Sequence, residues 1–206
     1  APTAGLHFTP QVFDSLHAKG IETDYITLHV GAGTFKPVST ETIGDHYMHE
    51  EKIVITEELI ERLIANHNKR LIVVGTTVAR TLESLFIIGA KLKLNRKNPL
   101  TVSQWEIYDD TELQTVTAQE SLEAIRDYLQ ACHTDLLHGQ TSLIILPTYK
   151  PKLMKGIITN FHQPKSTLLL LISAVVGNHW REIYRHALDN DYRFLSYGDS
   201  NLYLPE

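Results

Sequence analysis

The sequence predicts an α/β domain, layered α/β/α around a largely parallel sheet. Two observations carry this. β-rich runs alternate with helical patterns along most of the chain, the order that places helices over a mostly parallel sheet. The length of 206 residues, 43% hydrophobic and 21% charged, fits one large globular domain with an ordinary core.

The elements follow in order. Thr9-Pro10, then Val12, Phe13 and Leu16, then Gly20, predicts a helix. Thr9 offers the cap oxygen, Pro10 the first helical φ, and Gly20 the stop. Tyr25–Val30 is a β-rich run that stops at Gly31-Ala32-Gly33. Thr56 precedes a helix with Glu57 and Glu58 at its positive end and Leu59, Ile60, Leu63 and Ile64 on one face. Arg70–Val74 is a short buried-type strand that enters Gly75-Thr76-Thr77 and a helix through Leu85. Leu143–Leu146 and Gly156–Thr159 predict further strands. Ser166 opens an apolar helix ending near Gly177, and His179–Leu188 is another.

One segment differs in composition. Trp105–Asp135 holds eight acids and one base, Arg126. Thr117 and Glu120 form a T-x-x-E capping box, and Leu122, Ile125 and Leu129 share a helical face. The organisation read from this is one α/β domain over residues 1–206, with an acidic helical insertion at about 100–139 packed on its surface.

Several classes are excluded. A single cysteine, Cys132, cannot build a disulfide scaffold and points to a reducing compartment. The longest apolar run, near Leu168–Val176, is too short to span a bilayer. No basic, then apolar, leader is visible at the start.

Five polar stretches can carry chemistry. The first, Leu28-His29-Val30-Gly31-Ala32-Gly33-Thr34-Phe35-Lys36-Pro37, is a strand end with two glycines, a hydroxyl and a lysine. It suits an anion held by backbone amides, or a tight turn alone. It is neither a Walker A loop nor a full dinucleotide fingerprint. The second, His46-Tyr47-Met48-His49-Glu50-Glu51, offers two imidazoles and a carboxylate. It can be an acid–base group, a metal site or a solvated loop. The third, Gly75-Thr76-Thr77 with Arg80 and Glu83, sits where a helix N-terminus attracts anions. Arg80 and Glu83 can equally be a helical ion pair. The fourth, Thr159-Asn160-Phe161-His162-Gln163-Pro164-Lys165-Ser166-Thr167, is too polar for core between two apolar elements. The fifth, Tyr192–Ser200, interleaves aromatics with Arg193, Tyr197 and Asp199, as a pocket wall or an edge strand and turn.

Taken together, APTAGLHFT, LHVGAGTFKPV, H-Y-M-H-E-E, VGTT…RTLES, TNFHQPKSTLLLL and YRFLSYGD closely resemble the S-adenosylmethionine:tRNA ribosyltransferase-isomerases of queuosine biosynthesis. The matches run from Ala1 to Asp199, apart from the acidic segment. The resemblance implies a cytoplasmic transferase that uses S-adenosylmethionine as a ribosyl donor and requires no metal. The ribosyl group is transferred and isomerised onto 7-aminomethyl-7-deazaguanine at the wobble position of tRNA, giving epoxyqueuosine with release of adenine and methionine. It also implies an inserted β-barrel and N-terminal strands that lie outside this sequence. The chain is then the C-terminal part of a larger catalytic domain.

On that reading His46, His49, Glu51 and His162 are the catalytic candidates. His7, His29, Gly31, Gly33, Thr34, Lys36, Gly75, Thr76, Thr77, Arg80, Asn160, Lys165, Ser166, Thr167, Arg193, Tyr197 and Asp199 are the candidate substrate contacts. The chain departs from the family pattern at Val78-Ala79, Thr148, Gln163 and the end of YRFLSYGDSN. A diverged relative that binds tRNA or a nucleoside without turnover is the alternative.

The net charge of −5, taken as a total, argues against RNA. Its distribution does not. Trp105–Asp135 carries −7 and the remainder +2. RNA is expected to approach away from the acidic segment, with salt-dependent affinity.

Overall fold

A computed structural model describes residues 3–29 and 42–204. A 3-10 turn, Thr3–His7, leads to helix α1 (Pro10–Ala18). Pro10 takes the first helical position, and Gly20 follows the end at φ +69°. Thr9 is the N-cap residue, but its hydroxyl makes no capping bond. That end of α1 is exposed, so water can serve its amides.

Strand β1 (Thr27–His29) is followed, beyond a 3-10 turn at Ile43–Asp45, by β2 (Glu51–Thr56) and α2 (Glu57–Ala65). Thr56 Oγ1 accepts from Leu59 N at 3.2 Å, as the sequence predicts. β3 (Ile72–Val74) runs into α3 (Thr76–Lys93). α3 is two turns longer than expected, because Phe86, Ile87, Ile88 and Ala90 are all buried and keep it in the core. Gly89 does not end it. A Cβ there would collide with the Ser121 carbonyl, so this glycine lets two helix backbones meet.

Next come β4 (Thr101–Val102), α4 (Glu106–Asp109), a 3-10 turn at Thr111–Thr115, α5 (Ala118–Ala131) and β5 (Leu136–Thr141). The capping box of α5 forms in both directions. β6 (Gly156–Asn160), α6 (Thr167–Val176), α7 (Trp180–Asp189) and β7 (Ser200–Tyr203) complete the described chain. Leu143–Leu146 is not a strand. It is buried extended chain that prolongs the β4–β5 edge, with Ile144 N donating to Gln104 O at 3.3 Å and Leu146 N to the Tyr108 hydroxyl at 2.9 Å.

The α/β class holds, but the pairing corrects the expectation of a largely parallel sheet. Among the described residues there are two sheets, ordered β1-β2-β5-β4 and β3-β6-β7. Only β3–β6 and β4–β5 are parallel; β1–β2, β2–β5 and β6–β7 are antiparallel. Both parallel pairs have helices between their strands, which a crossover requires. Alternation along the chain does not reveal that β2 pairs with β5 across two intervening strands.

The inward residues of the four-stranded sheet, Ile53, Ile55 and Leu137, join Leu85, Phe86 and Ile88 of α3 in the main core. Thr141 meets Ser84 of α3 at 2.7 Å. Leu122, Ile125 and Leu129 of α5 are in that same core, and Ser121 Oγ donates to Phe86 O at 2.8 Å. The acidic segment is therefore not a layer laid on a finished domain. Its apolar face is core, and it leads directly into an inner strand. A smaller cluster holds Phe161, Tyr184 and Ala187, with Phe161 stacked on Phe194 at 5.0 Å between centroids. Among the described residues no helix is long and apolar enough to cross a membrane.

Candidate active site

The parallel pair β3–β6 sets the site, because in open α/β sheets ligands gather beyond the C-terminal strand ends. Gly75 N, just past β3, donates to Ile158 O of β6 at 2.8 Å. Gly75 then turns at φ +95° into α3. No side chain caps that helix start, so its first amides and positive dipole end have no side-chain acceptor of their own. Thr76 is buried and Thr77 half-buried.

β6 ends at Asn160, which is buried. Its Nδ2 donates to Gly198 O at 3.2 Å and lies 3.3 Å from His7 Nε2. Thr3 Oγ1 donates to its Oδ1 at 3.4 Å. One side chain thus gathers the Thr3–His7 turn and the approach to β7.

Asp199 completes the group. Its carboxylate accepts from Arg193 N at 2.7 Å and from Arg193 Nη2 at 3.3 Å. Those bonds, with a smaller contribution from nearby His7, hold it below the usual carboxylate range. Gly198 is required in this turn, since a Cβ would collide with the Arg193 carbonyl.

His162 lies two residues past Asn160. Its Nε2 is 3.1 Å from Thr159 Oγ1, and its main-chain N–H donates to the Tyr184 hydroxyl at 3.0 Å. Burial lowers its pKa to about 4, so the ring is neutral at pH 7 and a weak base there.

The His46–Glu51 stretch is loop and then β2. Its three candidates part company. Glu51 points inward, with Oε2 3.2 Å from Arg80 Nη2, while His46 and His49 stay half-buried on the loop. Gln104 clamps that loop, donating Nε2 to His46 O at 2.7 Å and accepting Met48 N at 2.9 Å. Among the described residues no three His, Cys, Asp or Glu side chains are grouped to hold a metal.

Arg80 and Glu83 do not pair. Arg80 reaches Glu51 and is only 6% exposed, yet its Nε and Nη2 have no hydrogen-bond partner among the described residues. Burial lowers its pKa, against the opposing charge of Glu51. Glu83 is fully buried and accepts from the Tyr149 hydroxyl (2.6 Å) and from the main-chain N–H groups of Lys152 (2.8 Å), Leu153 (3.1 Å) and Met154 (3.0 Å).

The remaining candidates scatter. The Ser166 hydroxyl is used in capping α6, accepting Leu169 N at 3.3 Å. Thr167 is the first residue of that helix. Lys165, Arg193 and Tyr197 are exposed. His29 lines a separate cleft on the four-stranded sheet. Gly31, Gly33, Thr34 and Lys36 lie outside the described residues. Gln104 was not among the candidates; a lone glutamine carries no spacing signal.

Comparison with known proteins decides the family. A protein-family model described as "Queuosine biosynthesis protein" matches residues 1–203. The chain belongs to this family. It is 36% identical over 211 residues to the S-adenosylmethionine:tRNA ribosyltransferase-isomerase of Thermosynechococcus vestitus, covering all of this chain and 47% of that protein. The corresponding protein of Trichormus variabilis is 38% identical over 209 residues, covering all of this chain and 41% of its own length. The crystal structure of the Thermotoga maritima S-adenosylmethionine tRNA ribosyltransferase superposes with a TM-score of 0.61 at 29% identity, over 97% of this chain and 50% of that one. The chain spans about half the length of the curated relatives it matches. As a queuosine-family chain it includes the acidic segment within the matched span.

Proposed function

We propose that this chain is part of an S-adenosylmethionine:tRNA ribosyltransferase-isomerase. It transfers and isomerises the ribosyl group of S-adenosylmethionine onto 7-aminomethyl-7-deazaguanine at the tRNA wobble position. Epoxyqueuosine-tRNA, adenine and methionine are the products. A tRNA substrate places the work in the cytoplasm. The carrying observation is the convergence beyond β6 of Asn160, His7, Gly198 and Asp199, beside the uncapped start of α3.

The chemistry makes three demands. The sulfonium acidifies the neighbouring ribose carbon, so a base must remove a proton there. The leaving adenine needs a donor at nitrogen. The attacking amine must lose a proton. His46 and His49, on a loop held by Gln104, are our candidate bases. His162 suits the second task, because a neutral imidazole offers an N–H without a charge to desolvate. Glu51 acts through Arg80, holding the guanidinium. Arg80, with Thr76 and Thr77, receives the substrate carboxylate. Asn160, Asp199 and His7 orient the ribose. Lys165 and Arg193, at the exposed rim, meet phosphate.

The test is adenine release. Protein carrying this chain, given S-adenosylmethionine and tRNA bearing the aminomethyl base, should release adenine and methionine in equal amounts. Tight tRNA binding without adenine release would instead establish a non-catalytic binding protein.

A further inference from the structure

The four-stranded sheet has an outward face that the site above does not use. In β2, Ile53 and Ile55 point into the core, so Lys52 and Val54 point out. In β5, Leu137, Gly139 and Thr141 are buried, so His138 and Gln140 point out. The strand register sets His29 opposite Lys52, Lys52 opposite Gln140, and Gln140 opposite Thr101. A polar row, His29–Lys52–Gln140–Thr101, therefore crosses all four strands. At ordinary strand spacing it is about 14 Å long. His138 stands opposite Val54 in the adjacent row. These side chains line an open cleft of about 440 Å³.

The charge of this cleft is unlike that of the whole chain. A lysine and two imidazoles line it, and no carboxylate is among its described lining residues, although the chain carries −5. The acids lie elsewhere. α5 packs on α3, which packs on the inward face of the same sheet. The acidic helix and the cleft that holds Lys52 are thus on opposite sides.

We propose that the outward face of the four-stranded sheet is a binding surface for the RNA phosphate backbone, which consecutive phosphodiesters follow along the cross-strand row. The proposal rests on the tRNA reading above and adds to it the surface that meets the RNA. Lys52 supplies the full charge. His29, His138, Gln140 and Thr101 supply N–H and O–H donors that need no charge. Such contacts position RNA without reading its sequence.

The experiment is equilibrium binding of tRNA to full-length protein over a range of salt concentrations. Lys52→Glu should weaken binding at least about tenfold at low salt and flatten the log–log salt dependence by about one. Gln140→Glu, nearly isosteric, should weaken it several-fold, and it keeps the test alive if Lys52→Glu fails to fold. Arg126→Glu on α5 makes the same charge change as Lys52→Glu and should have little effect. Lys52 should react with an amine-labelling reagent in free protein and be protected by tRNA. Wild-type binding with unchanged affinity and salt slope in both cleft variants would overturn the proposal and leave the tRNA reading intact. Lys52 already protected in RNA-free protein would also overturn it, since the polypeptide itself then covers the face. A wild-type protein that binds no tRNA would overturn both.

Discussion

Arg80 and Glu83 stand one turn apart on α3, both nine-tenths or more out of water, and their surroundings differ in kind. Around Glu83 the chain supplies four donors, from Tyr149 and the main chain of Lys152, Leu153 and Met154. That set matches the acceptor-only character of an ionised carboxylate. Burial raises its pKa, and the four bonds oppose the rise. Around Arg80 there is one ion-pair contact and two N–H positions without a hydrogen-bond partner among the described residues. A buried charge saturated by its own chain fixes a loop. A buried charge left with free donors is costly unless something else uses them. On the proposed reading, the turn of α3 that ends at Arg80 serves the site and the turn that follows, with Glu83, serves the scaffold.

The largest expected effect breaks the scaffold side. Glu83→Ala leaves four donors without their acceptor, and an unsatisfied buried group costs about 1–3 kcal/mol. Urea denaturation should show a loss of several kcal/mol, about 4 or more, or no folded protein at all. Glu83→Gln should lose less, because a carboxamide oxygen still accepts. An alanine variant of normal stability but without activity would reverse the roles assigned to the two turns.

The site side breaks next. Arg80→Lys keeps a cation near Glu51, so the melting temperature should move by only a few degrees. The ammonium cannot present the planar fork of a guanidinium. Adenine release should fall at least about tenfold. Equal activity in the lysine variant would show that Arg80 serves the fold alone.

His162 extends the same contrast to pH. Its folded pKa, about 4, lies below the ordinary 6.5 because burial disfavours the charged ring. Protonation therefore favours the unfolded chain. The contribution is fully present above pH 6.5 and is lost as pH falls from 6.5 towards 4, to a total of roughly 3 kcal/mol. His162→Gln should flatten the stability profile in that window. Its adenine release at pH 7.5 should fall, while S-adenosylmethionine binding changes little.

This contrast also explains what the sequence disclosed. Helix starts are local, so Thr56, Thr117 and Ser166 were readable from spacing alone. The polar run at Thr159–Thr167 was readable because core cannot hold it. The strand partners were not, since β2 meets β5 only after two other strands intervene. The Arg80–Glu51 pair was invisible for the same reason, and Glu83 with Arg80 at helical spacing suggested the wrong partner. His46, His49 and Glu51 looked like one cluster by spacing. The strand's alternation sends Glu51 inward, away from the loop that carries the two histidines.

The smallest effect separates satisfaction from burial. Thr117 and Thr9 both stand at helix starts. Thr117 accepts Glu120 N at 3.2 Å and is answered by Glu120 across the capping box; Thr9 makes no capping bond. Thr117→Ala should cost about 1 kcal/mol, and Thr9→Ala close to none. Neither should alter adenine release. The open amides at Thr9 cost little because water reaches them, whereas the Arg80 nitrogens that lack a hydrogen-bond partner among the described residues are closed to it. Equal melting temperatures for the two alanine variants would mean that the box adds nothing beyond solvent. Bonding by the chain would then matter only where water is excluded, at Glu83, and the division between the turns of α3 would rest on burial alone.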